Sequence, residues 1–272
     1  MAESLRFYVD PSTNSADPEV RMTYGLHVVS PWGGTVFINF PEHLEYMPGT
    51  KGIARHHDER DNVWRVEEKG ARAHYSVESL TDPGVFFHAE ARADGERAHL
   101  AFSIRNETLT PRRSLRAMFC HDYGGLAGFP GPETDNFART FVPVEGRLAS
   151  VADLPVRTPS ARARMAQAAG CPDHHNWWAE QMGGLIEAPL DFAFAAVRSG
   201  DDRHVALSWT PGKCLLSNCA IPCIHADPYF GDLPPDGECS ATGTLVFGRG
   251  PVDDLADEFR SRAQRPWLTP VG

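Results

Sequence analysis

The densest concentration of chemically capable side chains lies near the C-terminus, in Cys219-Ala-Ile-Pro-Cys-Ile-His-Ala-Asp-Pro-Tyr-Phe-Gly-Asp-Leu-Pro-Pro-Asp-Gly-Glu238. Thiols, an imidazole, carboxylates and two aromatics crowd a turn-rich stretch ahead of the apolar run Thr242-Gly-Thr-Leu-Val-Phe-Gly248, a polar density typical of loops that bind or catalyse. A second cluster is His121-Asp122, at the end of the strand-like run Ser114–Cys120 and ahead of Gly124-Gly125, with Arg139 further on. Histidine titrates near neutrality, so His121 and His225 are candidates for a general acid and base, with Asp122 or Asp227 orienting an imidazole. Such a pair suits ring opening of a hemiacetal or removal of a proton next to a carbonyl. Phe119 is expected to point inward and Cys120 the other way.

A third segment, Asp173-His-His-Asn-Trp-Trp-Ala-Glu180, places Trp177 and Trp178 amid polar residues. Large aromatics outside any apolar period suit stacking on the apolar face of a sugar ring, with His175, Arg139, Asn218 and Asp227 holding hydroxyls. Each cluster also has a purely structural explanation. The prolines around His225 can rigidify a loop, His121-Asp122 can cap a turn, and the tryptophans can anchor a lid.

Metal-ligand patterns are weak. His56-His57 and His174-His175 are adjacent pairs, and neighbouring side chains on an extended chain point to opposite sides. Cys219 and Cys223 have CxxxC spacing with no second pair to complete a zinc site. No cofactor and no metal are therefore expected. The alternative is a divalent metal in a cupin-like barrel, on His121, Asp122 and His225.

The elements that must position these groups read as strands. Runs such as Thr35–Phe40, Val85–Arg92 and Ala98–Arg105 alternate apolar with polar or small residues, and turn signals recur between them: Pro31-Trp32-Gly33-Gly34, Asp82-Pro83-Gly84, Asp94-Gly95. This is the pattern of an all-β chain, a large antiparallel β-sandwich. His74, His88 and His99 fall on a polar sheet face. Two short helices are expected, one in Ser160–Gly170, rich in helix formers, and one closing the chain, where Leu255 and Phe259 are spaced i, i+4 behind Asp253 and Asp254. No repeat or linker divides residues 1–272, so a single domain is expected, with a short N-terminal arm.

The net charge of −10 opposes a nucleic-acid surface, which needs clustered Lys and Arg. No window of about 18 apolar residues occurs and the N-terminus lacks a signal pattern, so no membrane partner and a cytoplasmic location with reduced thiols are expected.

The string His225-x-x-Pro-Tyr-Phe-Gly-Asp-Leu-x-Pro-x-Gly-Glu238, followed by the Gly-Thr-Leu-Val-Phe strand and a terminal helix, resembles the closing part of galactose-mutarotase-like sandwich proteins. The resemblance covers about thirty residues and implies a supersandwich fold. It also implies a broad groove on one sheet and a carbohydrate ligand. Combined with the histidines, it makes the expected function a carbohydrate-active enzyme of isomerase, epimerase or lyase type, acting on a small-molecule or oligosaccharide substrate. The other possibility is a non-catalytic carbohydrate-binding sandwich. The expected geometry is specific: segments 121–139, 173–180 and 218–232 converge on one concave face, with the His121 and His225 imidazoles within roughly 10 Å across a bound sugar.

Overall fold

Along Val85–Asp94 and Arg97–Asn106 buried and more exposed residues alternate, as the sequence pattern requires of strands with one face in a core. The computed structural model describes residues 4–10, 23–47, 62–80, 82–131, 136–168 and 183–263. Its strands, labelled in chain order, form two sheets. The eight-stranded sheet runs β1 (Arg6–Tyr8), β2 (Gly25–Val29), β3 (Thr35–Met47), β8 (Arg112–Gly125), β16 (Cys223–Leu233), β15 (Gly212–Asn218), β11 (Ala163–Gln167), β12 (Gly183–Leu185). The nine-stranded sheet runs β10 (Arg147–Ser150), β9 (Thr140–Val144), β13 (Phe194–Arg198), β14 (Arg203–Thr210), β17 (Gly237–Arg249), β7 (Arg97–Asn106), β6 (Val85–Asp94), β5 (Arg72–Glu78), β4 (Arg65–Glu67). Neighbours are antiparallel except β11 and β12. The chain is an all-β sandwich, and β2 and β3 form a hairpin around the turn signal Pro31-Trp32-Gly33-Gly34.

The inner faces meet in one core, where Phe40 and Phe119 of the eight-stranded sheet pack against Phe102 and Trp209 of the nine-stranded sheet. Phe119 lies 4.5 Å from Trp209 and 5.1 Å from Phe102, centroid to centroid. Tyr75 crosses the same interior, its hydroxyl donating to the Phe40 carbonyl at 2.7 Å. Gly243 is required beside this cluster, because a Cβ there would lie 2.4 Å from the Trp209 ring. On the outer face of the nine-stranded sheet, His74, His88 and His99 are half-exposed and each lies beside an acidic side chain.

Three expectations are corrected. Ala163–Gln167 is strand β11 and not a helix. Pairing with β15 and burial of Ala163 and Met165 outweigh the helical propensity of an alanine-rich stretch. His121 and Asp122 lie within β8, and most of the stretch read as a loop around His225 is strand β16. Pro228 is accommodated there because the β15 register shifts between Gly212 and Cys214, where a missing N–H costs no ladder bond. The closing helix, α2 (Asp253–Ala263), forms as expected and buries Ala256 and Phe259 against Phe194 and Val246. A one-turn helix, α1 (Asn136–Arg139), leads into β9.

Candidate active site on the eight-stranded sheet

Strand alternation assigns each polar residue of β8 and β16 to a face. His121 pairs with Ile38 and with Ile224, both members of the core between the sheets, so its ring points inward. His225 pairs with Leu216, which belongs to a separate buried cluster with Met118, Met165 and Cys223 on the outward face. The two imidazoles are therefore on opposite sides of the sheet and do not flank one ligand, contrary to the sequence expectation. His121 is fully buried, and that burial, helped by the charge of His225, holds its pKa down at about 3. Its Nδ1 hydrogen-bonds with the Phe119 carbonyl at 3.0 Å. His121 is a neutral core residue.

The outward face holds a tighter constellation. The ladder between β8 and β16 pairs Cys223 with Asp122 and Ile224 with His121, then resumes only at Tyr229 with Arg116. In the gap the Asp227 carboxylate takes the place of a ladder bond, its Oδ1 accepting the Phe119 N–H at 2.9 Å. The same oxygen lies 3.6 Å from His225 Nδ1. On the other side of the ring, His225 Nε2 lies 3.7 Å from Glu42 Oε2 and 3.7 Å from Cys223 Sγ. Glu42 comes from β3, where the register with β8 jumps between Asn39 and His43. Such a bulge re-aims a side chain that regular pairing would direct elsewhere. Cys120, opposite Asn39, completes the group, its sulfur within 4.8 Å of Cys223 Sγ and the His225 ring.

Burial dominates the electrostatics. It raises the Glu42 carboxyl above its ordinary range, against the pull of the neighbouring His225. Burial alone would lower His225, but Cys120 and the Asp227 carboxylate outweigh it and hold the imidazole well above its usual value. The Cys120 thiol is pushed well up by its hydrogen bond with Cys223 and by burial. His225 is 4% exposed and Glu42 19%, so the Glu42 side chain forms the more accessible side of the cluster.

Asp122 sits on the same face at the Cys223 end, half-buried, with Oδ1 accepting the Gly124 N–H at 2.7 Å. Burial raises its pKa. Asn218 pairs with Cys223 and so shares the face, but its side-chain oxygen accepts from the amide of Ala220 and caps the turn into β16. Arg139 is not part of the group: it is exposed on α1, and its guanidinium would meet a Cβ on Gly200, in the turn between β13 and β14 of the other sheet. His175, Trp177 and Trp178 lie outside the described residues, as do His56 and His57. The segments around residues 121 and 225 do converge, as β8 and β16. Sequence reasoning missed Glu42 and Cys120 as site residues. Cys120 was legible as an outward-facing position, whereas Glu42 is brought in by a bulge that no local pattern announces.

No family model matches the chain, and no curated protein matches it. Among solved structures the chain is similar to a putative aldose 1-epimerase from Escherichia coli K12, at 9% identity over 84% of this chain and 97% of that one, with a TM-score of 0.45. It is also similar to a galactose mutarotase-like protein from Lactobacillus casei, at 11% identity over 84% and 99% with a TM-score of 0.43. A third is galactose 1-epimerase from Lactobacillus acidophilus, at 12% identity over 92% and 100% with a TM-score of 0.41.

Proposed function

We propose that the chain is a carbohydrate-active enzyme of isomerase, epimerase or lyase type, acting by proton transfer on the outward face of the eight-stranded sheet. The observation that carries this reading is the placement of His225 between two carboxylates, Asp227 at Nδ1 and Glu42 at Nε2. Asp227, whose Oδ1 is itself held by the Phe119 amide, lies 3.6 Å from Nδ1 and its charge favours a proton there. Glu42, on the more accessible side, exchanges a proton with a sugar hydroxyl or with a carbon next to a carbonyl, and His225 relays it. Asp122, at the edge of the group, accepts a substrate hydroxyl. The sugar as substrate class is supported by the resemblance of the stretch from His225 to Glu238 to galactose-mutarotase-like proteins. A small-molecule or oligosaccharide substrate and a cytoplasmic location complete the reading. Among the described residues no helix is long and apolar enough to cross a membrane.

The test uses EDTA-treated protein and a panel of aldoses, ketoses and uronic acids in D2O, followed by NMR. Wild-type protein is expected to speed exchange between anomers or to place solvent deuterium on a sugar carbon. Glu42→Gln and His225→Gln, checked for fold by circular dichroism, are each expected to lower the rate by about 100-fold or more. A wild-type protein that alters no sugar in the panel, or variants as fast as wild type, would overturn the assignment.

A further inference from the structure

We propose that Cys120, Cys223, His225 and Glu42 form a binding site for a thiophilic divalent cation, with zinc the ion that the donor set fits best. The Cys120 and Cys223 sulfurs and a His225 ring nitrogen lie within 4.8 Å of one another. Two closer separations are 3.7 Å each, from His225 Nε2 to Cys223 Sγ and to Glu42 Oε2. A tetrahedral zinc ion with its usual bond lengths of about 2.0–2.3 Å holds its donors about 3.3–3.8 Å apart. Small side-chain movements bring the two sulfurs and the ring nitrogen around one ion, and Glu42, which lies outside that 4.8 Å group, swings in from the Nε2 side as the fourth donor.

Donor chemistry selects the class of ion. Two thiols and an imidazole favour zinc and exclude magnesium and calcium, which take oxygen ligands. All four donors stand on strands β3, β8 and β16, which hold them more firmly than loops would. The outer partner of the histidine is also present. Asp227 lies at Nδ1, the nitrogen that stays free when Nε2 binds metal, and carboxylates in that position orient ligating histidines. This set differs from the His121, Asp122 and His225 set, since His121 faces the opposite side of the sheet. With Glu42 swung in, the four protein donors make a closed site with no open position for substrate.

The site stands independently of the sugar reading but shares His225 and Glu42 with it.

The test is a titration of the full-length, EDTA-treated and desalted protein with cobalt(II) under a non-thiol reductant. One equivalent is expected to bind, with the visible bands of a tetrahedral site and a near-ultraviolet thiolate-to-cobalt band that zinc abolishes. Cys120→Ser and Cys223→Ser are each expected to reduce the thiolate band by about half, in line with two sulfur donors. Absence of the band, or its persistence in the double serine variant, would overturn the site. Should the variants not fold, X-ray absorption of the zinc-loaded wild type decides: two sulfur neighbours support the site, and a shell of only nitrogen and oxygen refutes it. Cobalt binding without any sugar turnover would leave this site standing and remove the proposed function, and the reverse result would do the opposite.

Discussion

Asp227 Oδ1 accepts the backbone N–H of Phe119 at 2.9 Å, across the stretch where the ladder between their strands is interrupted. One carboxylate thus closes a gap in the sheet and lies 3.6 Å from the His225 ring. The two tasks separate by substitution. Asp227→Asn keeps an acceptor for Phe119 but loses the charge beside His225. It is expected to lose less stability than Asp227→Ala while weakening cobalt affinity by roughly 10–100-fold. Asp227→Ala strands a buried N–H and is expected to cost about 1–3 kcal/mol in urea unfolding. Equal stability of the Asn and Ala variants would show that the hydrogen bond does not bridge the gap.

The inward placement of His121 makes a separate prediction. Its neighbours across both strand pairs are Ile38 and Ile224, and it is neutral in the fold. His121→Leu is expected to keep the fold, to shift stability by less than about 1.5 kcal/mol, and to leave both turnover and cobalt binding within about threefold of wild type. A loss of turnover comparable to that of His225→Gln, in a variant of unchanged stability, would return His121 to the reaction.

Gly243 tests how tightly the two sheets are joined. A Cβ at this position meets Trp209 ring atoms at 2.4, 2.5 and 2.8 Å, and Trp209 is itself locked against Phe119. Gly243→Ala is expected to lower stability by about 1–3 kcal/mol through overpacking, visible as a shifted urea midpoint with a changed tryptophan emission. An unaltered midpoint would mean that the ring moves aside without cost.

The sandwich was legible because alternation is local: Val85–Asp94 and Arg97–Asn106 announce their buried faces residue by residue. Legibility ended where tertiary pairing overrules local preference. Ala163–Gln167 looks helical until β15 offers it a ladder, and the prolines around His225 look like a loop until the register shift beside Pro228 absorbs one of them. The candidate site was half legible. His225, Asp227 and Asp122 stand out by residue type and lie on one face, but the partner chosen for His225 was wrong by a single step of alternation. His121 follows Cys120 by one residue, and in a strand one residue decides the face. Glu42 enters through the broken register of β3, a consequence of long-range pairing invisible to sequence periodicity.

Acid sensitivity of the fold rests in part on two histidines remote from the site. His27 stacks on Tyr8 at 4.6 Å, and neither of its buried ring nitrogens has a hydrogen-bond partner among the described residues. Burial lowers its pKa, partly offset by Asp10. His204 of β14 is lowered likewise, first by burial and further by Arg198, with Asp202 and the Gly250 backbone opposing. A group whose folded pKa lies below its unfolded one binds fewer protons in the native state, so the unfolded chain gains protons first on acidification. Stability is then full above the unfolded value of about 6.5 and falls as the pH drops from there toward the folded values. Each such histidine adds a slope of at most about 1.4 kcal/mol per pH unit. Urea unfolding at pH 7.5, 6.5, 5.5 and 5.0 is expected to show this decline, and the double variant His27→Phe, His204→Leu is expected to make it shallower, leaving the share of His121, whose folded pKa is about 3. If the double variant loses stability with acid as steeply as wild type, these two rings are not the groups that protonate on unfolding.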